Sequence, residues 1–160
     1  MTADDVRLDD LPLIEADVLV VGAGPTGLMA ALVLARRGLR AEVIDSKAGP
    51  TRESRAIVVQ ARSMEIYDQL GLAEQVLDGA NPALGLQLRP TTDRGAVDFA
   101  RVQAGWTSYP GAQIFEQSRT EQMLSSSLAA EGHPVRWGHR LVALREGADE
   151  ADESVDARVA

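Results

Sequence analysis

The residues best suited to chemistry are three glycines and one acid. Gly22-Ala23-Gly24-Pro25-Thr26-Gly27 spells G-x-G-x-x-G directly after the apolar run Val18-Leu19-Val20-Val21. In that setting Gly22 permits a tight turn out of a strand, Gly24 omits the side chain that would hold a pyrophosphate away, and Gly27 lets helix and strand pack closely. A helix starting at Pro25 would direct its free N–H groups and its dipole at the phosphates. Pro25 costs nothing there, because a first-turn N–H has no partner inside the helix. Asp45 lies 18 residues after Gly27, at the end of a second apolar run. A carboxylate in that place accepts the two hydroxyls of an adenosine ribose, and its charge would repel a ribose phosphate, which argues against NADP.

The elements that must position these groups follow from the flanking pattern. Val18 to Val21 predict a strand buried on both faces, since four aliphatic residues in a row leave no polar side. Thr26 to Arg37 predicts a helix, with Ala31 small where it must lie against the strand and Gly38 at the left-handed C′ position. Ala41 to Asp45 predicts the second strand. Three glycines alone fit an ordinary loop, and an acid at a strand end is ordinarily solvated. Strand, glycines, helix and spaced acid in succession turn both into a dinucleotide site. The loop Ser46 to Arg55 brings Lys47, Arg52 and Arg55; it can fold back over the phosphates, or it is a solvated surface loop.

Farther on, Ala61 to Leu70 predicts an amphipathic helix with Met64, Tyr67 and Leu70 in the core, closed by Gly71. A short helix, Ala73 to Asp78, ends at Gly79. Between Asn81 and Gly111 we expect a small sheet: Leu84 to Leu88 alternates, Pro90 to Gly95 is a turn, and a further strand runs through Phe99. Trp106 and Tyr109 flank a turn, with packing as their expected role. Ala112 to Glu116 predicts a strand, and Ser118-Arg119-Thr120-Glu121 a capping box opening a helix to about Ala130, which gives Glu121 a capping role. Val135 to Trp137 and Arg140 to Leu144 predict strands around Gly138. An acidic hairpin loop, Glu146 to Glu153, leads to an alternating strand from Val155 to Ala160.

The domain expectation is a loose tail over 1–16 and a nucleotide-binding α/β domain over 17–160, with 81–111 as a small sheet insertion. Too few parallel strands are counted for a finished βαβ fold, so the chain is expected to be the first part of something longer. The 160 residues are 45% apolar and 25% charged, as in a single soluble globular domain. A net charge of −8 argues against a nucleic-acid or anionic-membrane partner. With no Cys and only His133 and His139, no metal site is expected. The acidic start lacks the pattern of a signal peptide, and the longest apolar run, Leu28 to Ala35, is far short of a membrane span, so the expected location is cytoplasmic.

Taken together, the chain resembles the FAD-dependent aromatic hydroxylases, the single-component flavoprotein monooxygenases related to p-hydroxybenzoate hydroxylase, phenol hydroxylase and the aromatic polyketide hydroxylases. The resemblance runs from about Ala16 to Leu144. It rests on the glycine loop with Ala31 and Gly38, on Asp45, on Pro50-Thr51-Arg52-Glu53-Ser54-Arg55-Ala56, on Arg62-Ser63-Met64-Glu65-Ile66-Tyr67-Asp68-Gln69-Leu70-Gly71, and on Gln117 before Glu121. It implies a Rossmann-like FAD-binding fold of the glutathione-reductase βαβ type, incomplete in this chain. It further implies that Gly22, Gly24, Pro25, Thr26 and Gly27 hold the FAD pyrophosphate and Asp45 the adenosine ribose. Ser46 and the backbone of Leu141 would meet the adenine, Arg55 the phosphates or ribityl chain, and Gln117 the flavin side. Where this chain has Ser46 the family often has Arg, which removes an adenine-stacking group.

In that family NADH or NADPH supplies electrons, O2 supplies the oxygen atom, and an aromatic ring receives it. The family's Asp-Gly and later Gly-Asp motifs would lie beyond Ala160, as would most of the substrate sheet, so no catalytic residue is named. The remainder of the enzyme is expected as a continuing or a second chain. Two alternatives remain: an NAD-binding dehydrogenase domain, since the first βαβ unit looks alike for both dinucleotides, and a non-catalytic piece that docks on a partner through its sheet edge.

Overall fold

The structure is a computed structural model, and it describes residues 14–52, 56–88, 95–146 and 155–160. In chain order the elements are β1 (Val18–Val21), α1 (Pro25–Ala35), β2 (Ala41–Asp45), β3 (Ala56–Gln60), α2 (Ala61–Gln69), α3 (Ala73–Gly79), β4 (Asn81–Ala83) and β5 (Gly85–Leu88). These are followed by β6 (Gly95–Asp98), α4 (Phe99–Gln103), β7 (Ala112–Glu116), α5 (Gln117–Ala130), β8 (Arg136–Trp137), β9 (Leu141–Glu146) and β10 (Val155–Val159). They fall into two compact units, one drawn from Met1–Pro50 and Leu124–Ala160, the other from Thr51–Met123. Most of the expected tail, Arg55, nearly all of the expected turn at 90–95 and most of the acidic loop lie outside the described residues.

In the first unit β1, β2 and β8 form a parallel sheet in that order, with Val18 opposite Ala41 and Asp45 opposite Trp137. β2 is central and buries Ala41, Val43, Ile44 and Asp45. β1 departs from the expectation of two buried faces: its first three residues are half-buried and Val21 is 55% exposed. Among the described residues β1 has a strand along one side only, so aliphatic composition overstated its burial. The helix α1 buries Leu28, Ala31 and Leu32, neighbours on one helical face. It ends two residues before Arg37, and Gly38, at φ +84°, turns the chain so that Leu39 N–H donates to the Leu34 carbonyl. At the other end of the sheet the Asp17 carboxylate accepts the Arg40 backbone N–H at 2.7 Å, which fastens the start of β1 to the start of β2. β9 and β10 form an antiparallel pair with an irregularity between Arg158 and Val159.

In the second unit β3, β7 and β4 form an antiparallel sheet, with β7 in the middle. Met64 and Tyr67 of α2 are buried as the three-residue spacing predicts, and Ala73 and Val76 of α3 join them. Sequence reasoning did not foresee β3, which runs into α2 without Gly or Pro to mark the boundary. Nor did it foresee β4, whose Pro82 is tolerated on the sheet edge. The strand expected through Phe99 stops at Asp98, because the Asp98 carboxylate accepts the Arg101 N–H at 3.0 Å and opens α4. Trp106 is 87% exposed, so its expected packing role is overturned. The capping box is overturned too: α5 begins at Gln117, placing Ser118 inside the helix, and Glu121 is fully buried, its carboxylate accepting from Thr51 and from the Gln117 side chain.

Candidate dinucleotide site

The site is built where β1 gives way to α1. Gly22 N–H donates to the Ile44 carbonyl at 2.8 Å, carrying the sheet one residue past β1, and Gly22 then turns the chain at φ +105°. Gly24 is extended, at φ −80° and ψ 176°, and its carbonyl accepts the Leu28 N–H at 2.9 Å to open the helix. A Cβ placed on Gly24 would meet no atom within 4 Å, whereas one on Gly27 would overlap the Gly22 carbonyl oxygen and stand 3.2 Å from Val20 Cγ1. Gly27 is therefore required by the fold, and Gly24 leaves a space that the protein does not fill. The start of α1 has no side-chain cap hydrogen bond among the described residues and no acid in its first turn, so its first N–H groups and its dipole are directed at that space.

Asp45 is only 9% exposed, which replaces the solvated-acid alternative with a structural hub. Its Oδ2 accepts the Ala23 N–H at 2.7 Å and its Oδ1 accepts the Lys47 N–H at 2.8 Å. The carboxylate thus ties the glycine loop to the end of β2. A carboxylate offers about four lone-pair directions, so two backbone bonds leave acceptor capacity for hydroxyls. Lys47 Nζ lies 3.7 Å from Asp45 Oδ2 and 5.7 Å from the centre of the Trp137 ring. The adjoining segment is laid alongside by backbone bonds: Gly138 N–H donates to the Lys47 carbonyl at 2.7 Å and His139 N–H to the Asp45 carbonyl at 3.0 Å.

The first unit thus brings together the glycine loop, Pro25, Thr26, Asp45 and Ser46, the last of these exposed. Leu141 belongs to the same unit and begins β9, two residues after His139. Sequence reasoning missed Lys47 and Trp137 beside Asp45. Trp137 had no signal in its own neighbourhood, because only the pairing of β8 with β2 places it opposite Asp45. Gln117 belongs to the second unit, where its Nε2 donates to Glu121 Oε1 at 2.9 Å. His139 Nδ1 lies 2.8 Å from the Trp137 carbonyl and His133 Nδ1 lies 3.2 Å from the Ala41 carbonyl. Among the described residues no cluster of three or more acids and histidines could hold a metal ion, and no helix is long and apolar enough to cross a membrane.

Unfilled space at Gly24, helix-start donors and a buried acceptor 18 residues after Gly27 fit the adenosine diphosphate of FAD. Residues 15–159 match the family described as FAD binding domain. 6-Methylpretetramide 4-monooxygenase of Streptomyces rimosus is 38% identical over 137 residues, which cover 79% of this chain and 23% of that protein. Pentachlorophenol 4-monooxygenase of Sphingobium chlorophenolicum is 34% identical, over 91% of this chain and 27% of that protein. The crystal structure of aklavinone-11 hydroxylase with FAD and aklavinone superimposes with a TM-score of 0.77 at 27% identity, over 93% of this chain and 30% of that one. This chain therefore spans about a quarter of the length of the curated relatives it matches. Its fold is the Rossmann-like FAD-binding fold in part, and the chain belongs to the FAD binding domain family.

Proposed function

We propose that this chain holds the adenosine diphosphate half of FAD in a monooxygenase that hydroxylates an aromatic ring, phenolic or polyketide, with NADH or NADPH as reductant and O2 as oxidant. The observation that carries the reading is the Asp45 carboxylate locked to the glycine loop beside the open space at Gly24. When bound, FAD supplies the redox chemistry, taking electrons from the nicotinamide and activating O2 for insertion of one oxygen atom. The chain's own part is binding and orientation. N–H groups of the Gly22 to Gly27 loop, with Thr26, hold the pyrophosphate, and the remaining lone pairs of Asp45 accept the ribose hydroxyls.

Ser46 and the Leu141 backbone border the adenine, Arg55 serves the phosphates or the ribityl chain, and Gln117 lies toward the flavin. These assignments rest on the family resemblance. The aromatic substrate class is supported by the relatives, whose names include a methylpretetramide and a pentachlorophenol monooxygenase. The location we propose is the cytoplasm, a reading supported by the acidic start of the sequence. The 160 residues alone do not hydroxylate: they carry the adenosine side, and the groups around the reacting ring come from a continuing or second chain. The test is purification of the full-length protein. It is expected to be yellow and to bind FAD in titration; a colourless protein that takes up NAD but not FAD would overturn the proposal.

A further inference from the structure

Trp137 stands at the last of three neighbouring parallel strand ends, and the other two already carry the dinucleotide site. The sheet order sets the glycine loop after β1, Asp45 at the end of β2 and Trp137 at the end of β8, all on the carboxyl edge where open α/β sheets bind their ligands. The three belong to one compact unit, and Trp137 is the only Phe, Trp or Tyr in that unit. Asp45 and Trp137 are register partners, and partners in register on neighbouring strands point to the same face of a sheet. Lys47 brackets their separation, with its Nζ 3.7 Å from Asp45 Oδ2 and 5.7 Å from the centre of the indole ring. Backbone bonds fix the strand end as well: Gly138 N–H and His139 N–H donate to the Lys47 and Asp45 carbonyls. Trp137 is half-buried, so its pose is held while part of its surface stays open.

From this placement we infer that Trp137 is a binding residue for the adenine base of the dinucleotide, its indole supplying the stacking surface. The inference rests on the proposed reading of the glycine loop and Asp45, and adds the group that meets the next strand end. A dinucleotide presents its parts in a fixed order, with the adenosine ribose carrying phosphate on one side and the base on the other. With the pyrophosphate after β1 and the ribose hydroxyls on Asp45, the base leaves Asp45 on the side away from β1, which is the side of β8. Adenine has flat π-faces, and an aromatic side chain covers such a face well. Ser46, next to Asp45, is exposed and has no flat surface to offer.

The experiment titrates FAD and ADP into the full-length apoprotein, with ADP followed through indole emission. Trp137→Ala is expected to raise both dissociation constants about tenfold, the scale of one stacked base, and Trp137→Phe, which keeps an aromatic face, by less than about threefold. Inorganic pyrophosphate, which competes for the glycine loop without a base, should bind Trp137→Ala as it binds the wild type. ADP should quench indole emission in the wild type, and that quenching should be lost in Trp137→Phe. A merely structural indole would weaken pyrophosphate and ADP equally in Trp137→Ala, and that result would overturn the inference. Wild-type ADP affinity in Trp137→Ala would overturn it too, as would quenching undiminished in Trp137→Phe. Where Trp137→Ala fails to fold, the quenching in Trp137→Phe decides the matter. A wild-type protein that binds neither FAD nor ADP removes the dinucleotide reading itself, whereas one that binds both beside indifferent variants removes only the role of Trp137.

Discussion

Gly24→Val separates a glycine required by the ligand from one required by the fold. Gly24 sits at φ −80° and ψ 176°, just before Pro25. That is the extended region that a residue before proline prefers and that β-branched side chains adopt readily. A Cβ there meets nothing within 4 Å. The folded apoprotein should accept the valine without strain, and the reduced freedom of the unfolded chain should leave stability unchanged or raised by up to about 1 kcal/mol. On the proposed reading the pyrophosphate of FAD occupies the same space. With two methyl groups in the path of the pyrophosphate, at least one charge-assisted hydrogen bond to the loop is lost, at about 1.5–3 kcal/mol. That weakens FAD roughly 10- to 150-fold. Urea unfolding of the apoprotein and a fluorescence titration with FAD measure the two effects separately. Unchanged FAD affinity would refute the placement of the pyrophosphate, and an apoprotein destabilised by more than about 2 kcal/mol would refute the claim that the space is open.

The neighbouring Gly27→Ala should behave in the opposite way: its methyl group collides with the Gly22 carbonyl, so the apoprotein should lose about 3 kcal/mol in urea unfolding before any ligand is added. Asp45→Asn must set an NH2 group against the N–H of Ala23 or Lys47, which should cost about 1–3 kcal/mol of apoprotein stability and, with the charge gone, weaken FAD by a similar amount; wild-type values in both assays would remove Asp45 from the site. For Asp17, the Arg40 backbone N–H first and its guanidinium second hold the carboxyl below 3.8. The contribution of Asp17 is therefore present above that value and is lost as the pH falls through the lower folded-state value. Asp17→Ala should lower the thermal midpoint at pH 7, and the gap to wild type should narrow as the pH is taken below 3.8; a gap that widens instead would reverse the assignment.

Wherever local pattern and local geometry coincide, the sequence alone determined the outcome. β1, the start of α1, the turn at Gly38, β2 and Asp45 at its end were all legible, because glycine conformation, helix signals and aliphatic runs act over a few residues. The same holds for α2, whose buried Met64 and Tyr67 follow helical spacing. Where two strengths of local signal competed, the sequence misled. Ser118 to Glu121 fits a capping box as a string, yet Glu121 is drawn inward by Thr51, a residue 70 positions earlier that no local rule connects to it.

The tertiary structure alone decided which side chains surround the acid. Asp45 is buried because the Ala23 and Lys47 backbone groups donate to it, and Trp137 stands opposite because β8 pairs with β2 across more than 90 residues. It also supplied the contacts behind the glycine roles read from the sequence, since a Cβ on Gly27 would overlap the Gly22 carbonyl oxygen while one on Gly24 would meet nothing within 4 Å. The physical reason is one of range. Propensity, capping and turn chemistry act along the chain, but burial and hydrogen-bond saturation are settled by whatever the fold brings alongside, and a string of residues does not contain that distance.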